Sequence, residues 1–430
     1  MRILRVLCKE AFLIIVFLLI IFAPPIRFLP YYTWILAGAG VWTLSDKNFY
    51  HLIGFGCRRN LNFIVLLLIM CLYNCIIVPT IHGFQDFTYI PIQLGIILAL
   101  FRNILLIYIL YKFSKNSLFS SFAKYFLSAC CIYVSFTLVF IIYPAFKQFW
   151  MEDVLANVVD RSTDFAVYQF RYGIDGFAAF SSASVFSFAC LFCSYLVSSS
   201  RKIKIIQLAC LIYMVVGCFF YGRISLVGML FGATLILWSS DSIVKTLRIV
   251  GIILIFVSGL LLILNIASES NELLVLWQDW AFSIVKQLFV EKEVTDYSVN
   301  HMFEDMYYMP GFFTFLFGDG LYTCANGSYY GHTDVGFMRL LLYGGIFDLC
   351  LIYSIVIYLA RIILRISKSS VFRHFIFLAT LLFFILEMKG ESYQRAFMLL
   401  YPLYLIQNLT NNTDTKNENK TQNIYYYSCV

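Results

Sequence analysis

Charge is scarce in this chain. Only 13% of its 430 residues are Asp, Glu, Lys or Arg, about half the share usual in a soluble domain. Also missing are the alternating segments of about ten residues that build a membrane β-barrel. There is no phosphate-cradling glycine loop, no HExxH helix and no His/Cys cluster at metal-ligand spacing. The large outer segments described below hold one cysteine between them, Cys324, so no disulfide framework is implied there. Cys190 and Cys193 lie i,i+3 within an apolar run and read as small hydrophobes in a helix. A signal-peptide cleavage site is lacking too. Arg2, Arg5 and Lys9 precede an apolar run from Ala11 to Ala23, but Pro24, Pro25 and Arg27 follow it, so the run is expected to stay as an uncleaved first span.

What the chain does have is apolar length. It is 61% hydrophobic with a mean hydropathy of +0.82, and several stretches run about 20 residues with few charges, enough to cross a bilayer as helix. The expected fold is all-α, a polytopic transmembrane bundle over 1–409. Twelve spans are predicted at 8–23, 29–44, 61–80, 89–111, 121–143, 175–197, 203–220, 223–239, 247–266, 335–359, 371–387 and 394–408. The Asn/Thr/Lys-rich stretch 410–430 is expected to be a disordered cytoplasmic tail.

Every second connection is basic: Lys47, Arg58 and Arg59; Lys112, Lys115 and Lys124; Arg201, Lys202 and Lys204; Lys245 and Arg248; Arg361, Arg365, Lys368 and Arg373. That alternation puts both termini on the cytoplasmic side. It also accounts for the net charge of +7 without a nucleic-acid partner. Two outer segments are enlarged, 144–174 and 267–333. The second holds two lysines against nine acidic residues and many aromatics. Within it, Leu273, Leu276, Trp277, Trp280, Ile284 and Leu288 fall at helical spacing, as in an amphipathic helix lying on a membrane face.

Residues able to do chemistry gather at the outer side. Arg223, between spans 7 and 8, is either an anion clamp, since its planar fork matches phosphate oxygens, or an arginine reaching lipid headgroups. In Gly331–Arg339, Thr333 or Asp334 is a good N-cap, the helix start that follows favours anions, and Arg339 adds a cation one turn in. His332 is either a plain loop residue or a proton acceptor near neutral pH. Arg161 and Arg171 stand in the first outer segment. Lys389 and Arg395 flank the last outer turn with Glu387 and Glu391, and local salt bridging is the default reading for each pair. Arg102 lies inside span 4 with no assigned role.

This arrangement resembles the O-antigen polymerase (Wzy) family of bacterial envelope polysaccharide assembly. The resemblance covers the topology of the whole chain. Locally it is carried by Gly222-Arg-Ile-Ser225, by Phe317-Gly-Asp-Gly-Leu321 with His332-Thr-Asp-Val-Gly-Phe337 and Tyr343-Gly-Gly-Ile346, and by Glu387-Met-Lys-Gly390 followed by Phe397 to Ile406. The second outer segment holds no arginine, unlike the family's arginine-rich loops. The resemblance implies a metal-independent, cofactor-free glycosyltransferase in the bacterial inner membrane, joining undecaprenyl-pyrophosphate-linked repeat units at the periplasmic face. Donor and acceptor glycan lipids would be its partners, with membrane lipid and a chain-length regulator protein. Arg223, Arg339 and Arg171 would take the pyrophosphate, His332 or Asp334 the hydroxyl proton, and Arg161, Lys389 and Arg395 would be secondary candidates. An O-antigen ligase and a non-enzymatic flippase for lipid-linked oligosaccharides are the competing readings.

Overall fold

The computed structural model describes residues 2–114, 117–156, 166–178, 180–200, 204–239, 272–286, 300–325 and 327–427, with a few single positions between 247 and 266. Apolar runs become helices because each backbone group is then satisfied within its own segment. In order these are α1 (Arg2–Ile21), α2 (Tyr32–Thr43), α3 (Arg58–Ile81), α4 (Tyr89–Phe113), α5 (Leu118–Ile142), α6 (Phe180–Ser199), α7 (Ile205–Tyr221) and α8 (Leu226–Ser239). There follow α9 (Glu272–Lys286), the short α10 (Phe312–Phe317), α11 (Gly336–Ile366), α12 (Ser370–Glu387) and α13 (Tyr393–Tyr427). Among the described residues, six helices are long and apolar enough to cross a membrane: α3, α4, α5, α6, α11 and α12. The stretch 247–266, expected as a span, lies largely outside the described residues.

The helices pack as one bundle in which close approach depends on small residues. Helix α8 lies against α6, where a Cβ on Gly228 would stand 2.3 Å from the Ser187 carbonyl oxygen. Aromatics fill the wider gaps. The Tyr89 ring packs, tilted, 4.2 Å from Tyr343 and 4.5 Å from Tyr322, ring centre to ring centre, and its hydroxyl meets that of Tyr393 at 2.9 Å.

Two helices are irregular. A π-turn at Tyr73–Ile77 interrupts α3, and there the Asn74 amide donates to Asp348 Oδ1 at 2.8 Å. Helix α11 breaks at Gly345, whose φ of +72° suits glycine alone. The turn Gly318-Asp319-Gly320 fills this break. Asp319 N donates to the Leu342 carbonyl at 2.7 Å and Gly320 N to that of Tyr343 at 3.0 Å. The sequence marks Gly318–Gly320 only as a turn. In the fold it supplies the two donors that a broken helix would otherwise lack.

The bundle has two chemically different ends. At one, Lys112 Nζ meets Asp46 Oδ2 at 2.9 Å, Lys124 pairs with Glu10, and Tyr358 donates to the Arg59 carbonyl at 3.2 Å. The other end carries Arg171, Arg223, Arg339 and Arg395.

Three expectations change. Span 6 starts at Phe180 rather than 175, because a two-stranded hairpin, β1 (Tyr172–Gly173) and β2 (Gly176–Phe177), occupies the residues before it. The cap of α11 is Val335 without a side-chain bond, not Thr333 or Asp334; Thr333 Oγ1 accepts from Val335 N at 3.2 Å instead. The tail expected to be disordered from 410 continues α13 to Tyr427. At its near end, Asn411 donates to the Ile366 carbonyl at 3.0 Å and Asn412 to that of Leu52 at 2.8 Å, which ties these polar residues to neighbouring helix ends.

Candidate anion-binding site

The connection between α3 and α4 anchors the second outer segment. Asp86 accepts from Tyr322 N at 2.7 Å and Thr323 N at 2.9 Å, and also from Thr88 N at 2.7 Å. Burial alone would raise this carboxyl, but the hydrogen bonds from Thr88, Thr323 and Tyr322 outweigh it and hold it below the usual range. Local sequence shows at most the bond to Thr88; the two partners in the second outer segment lie more than 230 positions away.

Tyr322, fixed in this way, forms one wall around Arg339. The guanidinium lies between two rings, 4.0 Å from the centre of Tyr322 and 3.8 Å from that of Tyr329. Its Nη1 pairs with Glu391 Oε2 at 3.0 Å, and both side chains are more than nine-tenths buried. Tyr322 donates its hydroxyl to the same Glu391 oxygen. Arg339, expected to face pyrophosphate, is therefore already ion-paired, and its buried Nε has no hydrogen-bond partner.

The local salt bridges expected in the last outer turn do not form. Glu391 belongs to Arg339. Glu387 accepts from Ser392 N at 2.5 Å and Ser392 Oγ at 3.0 Å. Arg395 donates to the Ile21 carbonyl at 2.9 Å. Lys389 makes no side-chain bond to a described residue.

A second cluster lies at the junction of α7 and α8. Gly222 ends α7, and Arg223 starts a single 3-10 turn into α8. Arg171, on the residue before β1, reaches back with Nη2 to donate to the Tyr221 carbonyl at 2.7 Å. The two arginines flank one indole, with their Cζ atoms 5.7 Å (Arg171) and 5.3 Å (Arg223) from the ring centre of Trp280. Tyr168 and Phe177 also face Arg171, each at 5.3 Å. Burial lowers Arg171 to about 10; Tyr168 opposes that shift and the charge of Arg223 adds to it. Arg171 is still a cation at neutral pH.

Helix α9 supplies the indole. Its Trp277 and Ala281 are buried, and Trp277 packs 5.3 Å from Phe220 and 6.1 Å from Phe170. Of the apolar residues at helical spacing, Trp277 is buried and Trp280 meets the arginine pair, while Leu276 is exposed.

The two clusters flank the first turn of α6. Phe180 lies against Gly390 beside Glu391, and Ala183 lies against Gly222 beside Arg171. Residues three apart on a helix share a face, so the clusters are neighbours. His332 is exposed, with a left-handed φ of +52°. Asp334 is half-buried near Tyr307, and its Oδ1 has no hydrogen-bond partner. Arg161 lies outside the described residues.

Two cations close to one indole ring can bind a polyanion, and Asp334 on the loop before α11 keeps an oxygen without a hydrogen bond. Comparison with protein families, with curated proteins and with solved structures finds no match to this chain.

Proposed function

We propose that this chain is a twelve-span glycosyltransferase of the bacterial inner membrane that joins oligosaccharide units carried on undecaprenyl pyrophosphate, with both termini cytoplasmic. The observation that carries the reading is the convergence of Arg171 and Arg223 on Trp280 at the end of the bundle opposite the basic connections. In this reading, a hydroxyl of the incoming unit attacks the anomeric carbon of the donor glycan. The new glycosidic bond forms as the bond to pyrophosphate breaks, and the lipid pyrophosphate leaves with both bonding electrons. The arginine pair stabilises the charge that develops on it. Asp334, with its free oxygen, takes the hydroxyl proton, and His332 is the alternative acceptor on the same loop.

Arg339 then acts as a positioning residue. Its ion pair with Glu391 and its place between Tyr322 and Tyr329 fix the loop that carries His332 and Asp334. Exposed aromatics near that loop, such as Tyr308 and Phe303, are suited to stacking on sugar rings.

The test is reconstitution in liposomes with a lipid-linked oligosaccharide, followed by the size distribution of products. Arg223→Ala is expected to lower the initial rate roughly 100-fold or more, the scale for losing one donor to a developing anion. Arg223→Lys is expected to recover only part of it, because it lacks the bidentate fork. Long products made at the parental rate by Arg223→Ala would remove the assignment.

A further inference from the structure

A cavity of about 330 Å³ lies between α3, α4 and α13, with Ala23 after α1 also in its lining. That volume is in the range of sites that hold small molecules. Most of its wall is apolar: Phe63 and Leu67 on α3, Ile92, Ile96 and Leu100 on α4, Phe397 and Met398 on α13. On α4, Pro91, Gly95 and Ala99 recur every fourth position and leave a smooth groove along one face.

Two guanidiniums also open on this cavity, those of Arg102 and Arg395. Arg102 is only 7% exposed and lies within a helix long enough to cross a membrane. It is thirteen residues from the start of α4, about 20 Å along the axis. Its Nε is buried without a hydrogen bond, and no described carboxylate or carbonyl pairs with the side chain. The charged neighbour that bears on it is Arg395, which repels it. Arg395 has Asp175 as the carboxylate acting on it and donates to the Ile21 carbonyl. Two cations therefore face one cavity with a single carboxylate nearby, and a buried charge without a counter-charge is costly.

An apolar groove ending at two arginines has the complement of an amphiphile with an anionic head. We propose that this cavity binds a phosphate-bearing lipid, its phosphate between Arg102 and Arg395 and its chain along the Pro91–Gly95–Ala99 face. The site is separate from the Arg171–Arg223 pair and does not depend on the reaction assigned to that pair.

Photo-crosslinking of the full chain in nanodiscs tests the site. The probe is an isoprenyl phosphate carrying a diazirine in its chain, and the labelled peptides are identified by mass spectrometry. Labelling is expected on the Pro91–Leu100 and Phe397–Tyr401 walls. Arg102→Met is expected to lower it about tenfold, the weight of a charge-assisted hydrogen bond, while Arg102→Lys retains part of it. Competition separates the sources: unlabelled undecaprenyl phosphate as the effective competitor points to an isoprenoid ligand, and phosphatidylglycerol to a membrane phospholipid. A neutral prenol that competes equally well would overturn the phosphate claim. So would unchanged labelling of the cavity walls in Arg102→Met.

Thermal unfolding in lipid-free detergent provides the folding control. Arg102→Met is expected to match or exceed the parent there, because an unpaired buried cation has been removed. A large loss of stability would mean that Arg102 serves the fold, which also overturns the proposal.

Discussion

The ion pair between Arg339 and Glu391 makes a quantitative prediction that separates a structural role from substrate contact. The two groups meet at 3.0 Å with 7% and 6% of their side chains exposed. Removing one partner of so buried a pair leaves the other charge stranded, at a cost of about 3–5 kcal/mol. The two single variants should not behave alike. Glu391→Gln leaves Arg339 between two tyrosine rings, and contacts of this kind offset roughly 1–2 kcal/mol each when desolvated. Arg339→Met leaves Glu391 with two neutral donors, the Tyr322 hydroxyl and, at 3.5 Å, the Gln394 amide, and no counter-charge. Arg339→Met should therefore be the more destabilising variant. The double variant Arg339→Met/Glu391→Gln should cost less than the sum of the two by about 1–3 kcal/mol, the coupling expected for residues in direct contact. Thermal or denaturant unfolding of the purified protein in detergent, followed for all four proteins of the cycle, reads this out. Additive losses would refute the shared interaction. A fully stable but inactive Arg339→Met would refute the positioning role and return Arg339 to the substrate.

Other predictions follow from single features. Asp175 is raised to about 6, first by burial, with the Tyr133 hydroxyl and the Arg395 charge opposing it. Because it binds its proton more tightly folded than unfolded, its contribution to stability is complete below about pH 4 and is lost as pH rises through 6. The parent should gain stability on acidification across that window, and Asp175→Asn should flatten the profile in unfolding measurements at a series of pH values. Gly345→Ala would place a Cβ 2.2 Å from the Leu316 carbonyl oxygen at a φ of +72°. Beyond the roughly 1–2 kcal/mol of a left-handed conformation, that clash should unseat α10, seen as a large fall in folded yield and thermal midpoint. Trp280→Ala should weaken pyrophosphate-dependent activity while leaving the bundle folded, because its ring faces Arg171 and Arg223; unchanged kinetics would show that the indole does not organise them.

Much of the helical framework could be read from the chain, because a run of about 20 apolar residues has few alternatives to forming a helix. The helices at 89–113, 118–142 and 370–387 fall within a few residues of their expected places. The sequence groups Arg223 with Arg339 and adds Arg171 as a third cation; in the fold Arg171 and Arg223 share Trp280, while Arg339 is paired with Glu391. What the sequence hid depends on distant partners. Glu391 is 52 positions from Arg339, and local spacing pointed it instead at Lys389 and Arg395. Asp86 shows locally only its bond to Thr88; its role as the anchor of Tyr322 and Thr323 exists once the second outer segment folds over it. The glycines of Tyr343-Gly-Gly-Ile346 were visible, but a helix break can be recognised only when the turn that repairs it is seen in place.

That repaired break constrains how the outer segment can move. The carbonyls of Leu342 and Tyr343 are satisfied by backbone donors from Asp319 and Gly320. Lifting this turn would strip both carbonyls of their donors, so the turn and the helix break are coupled. Any movement of the second outer segment that keeps these two bonds has to pivot outside Gly318–Gly320, which stays seated in the break of α11.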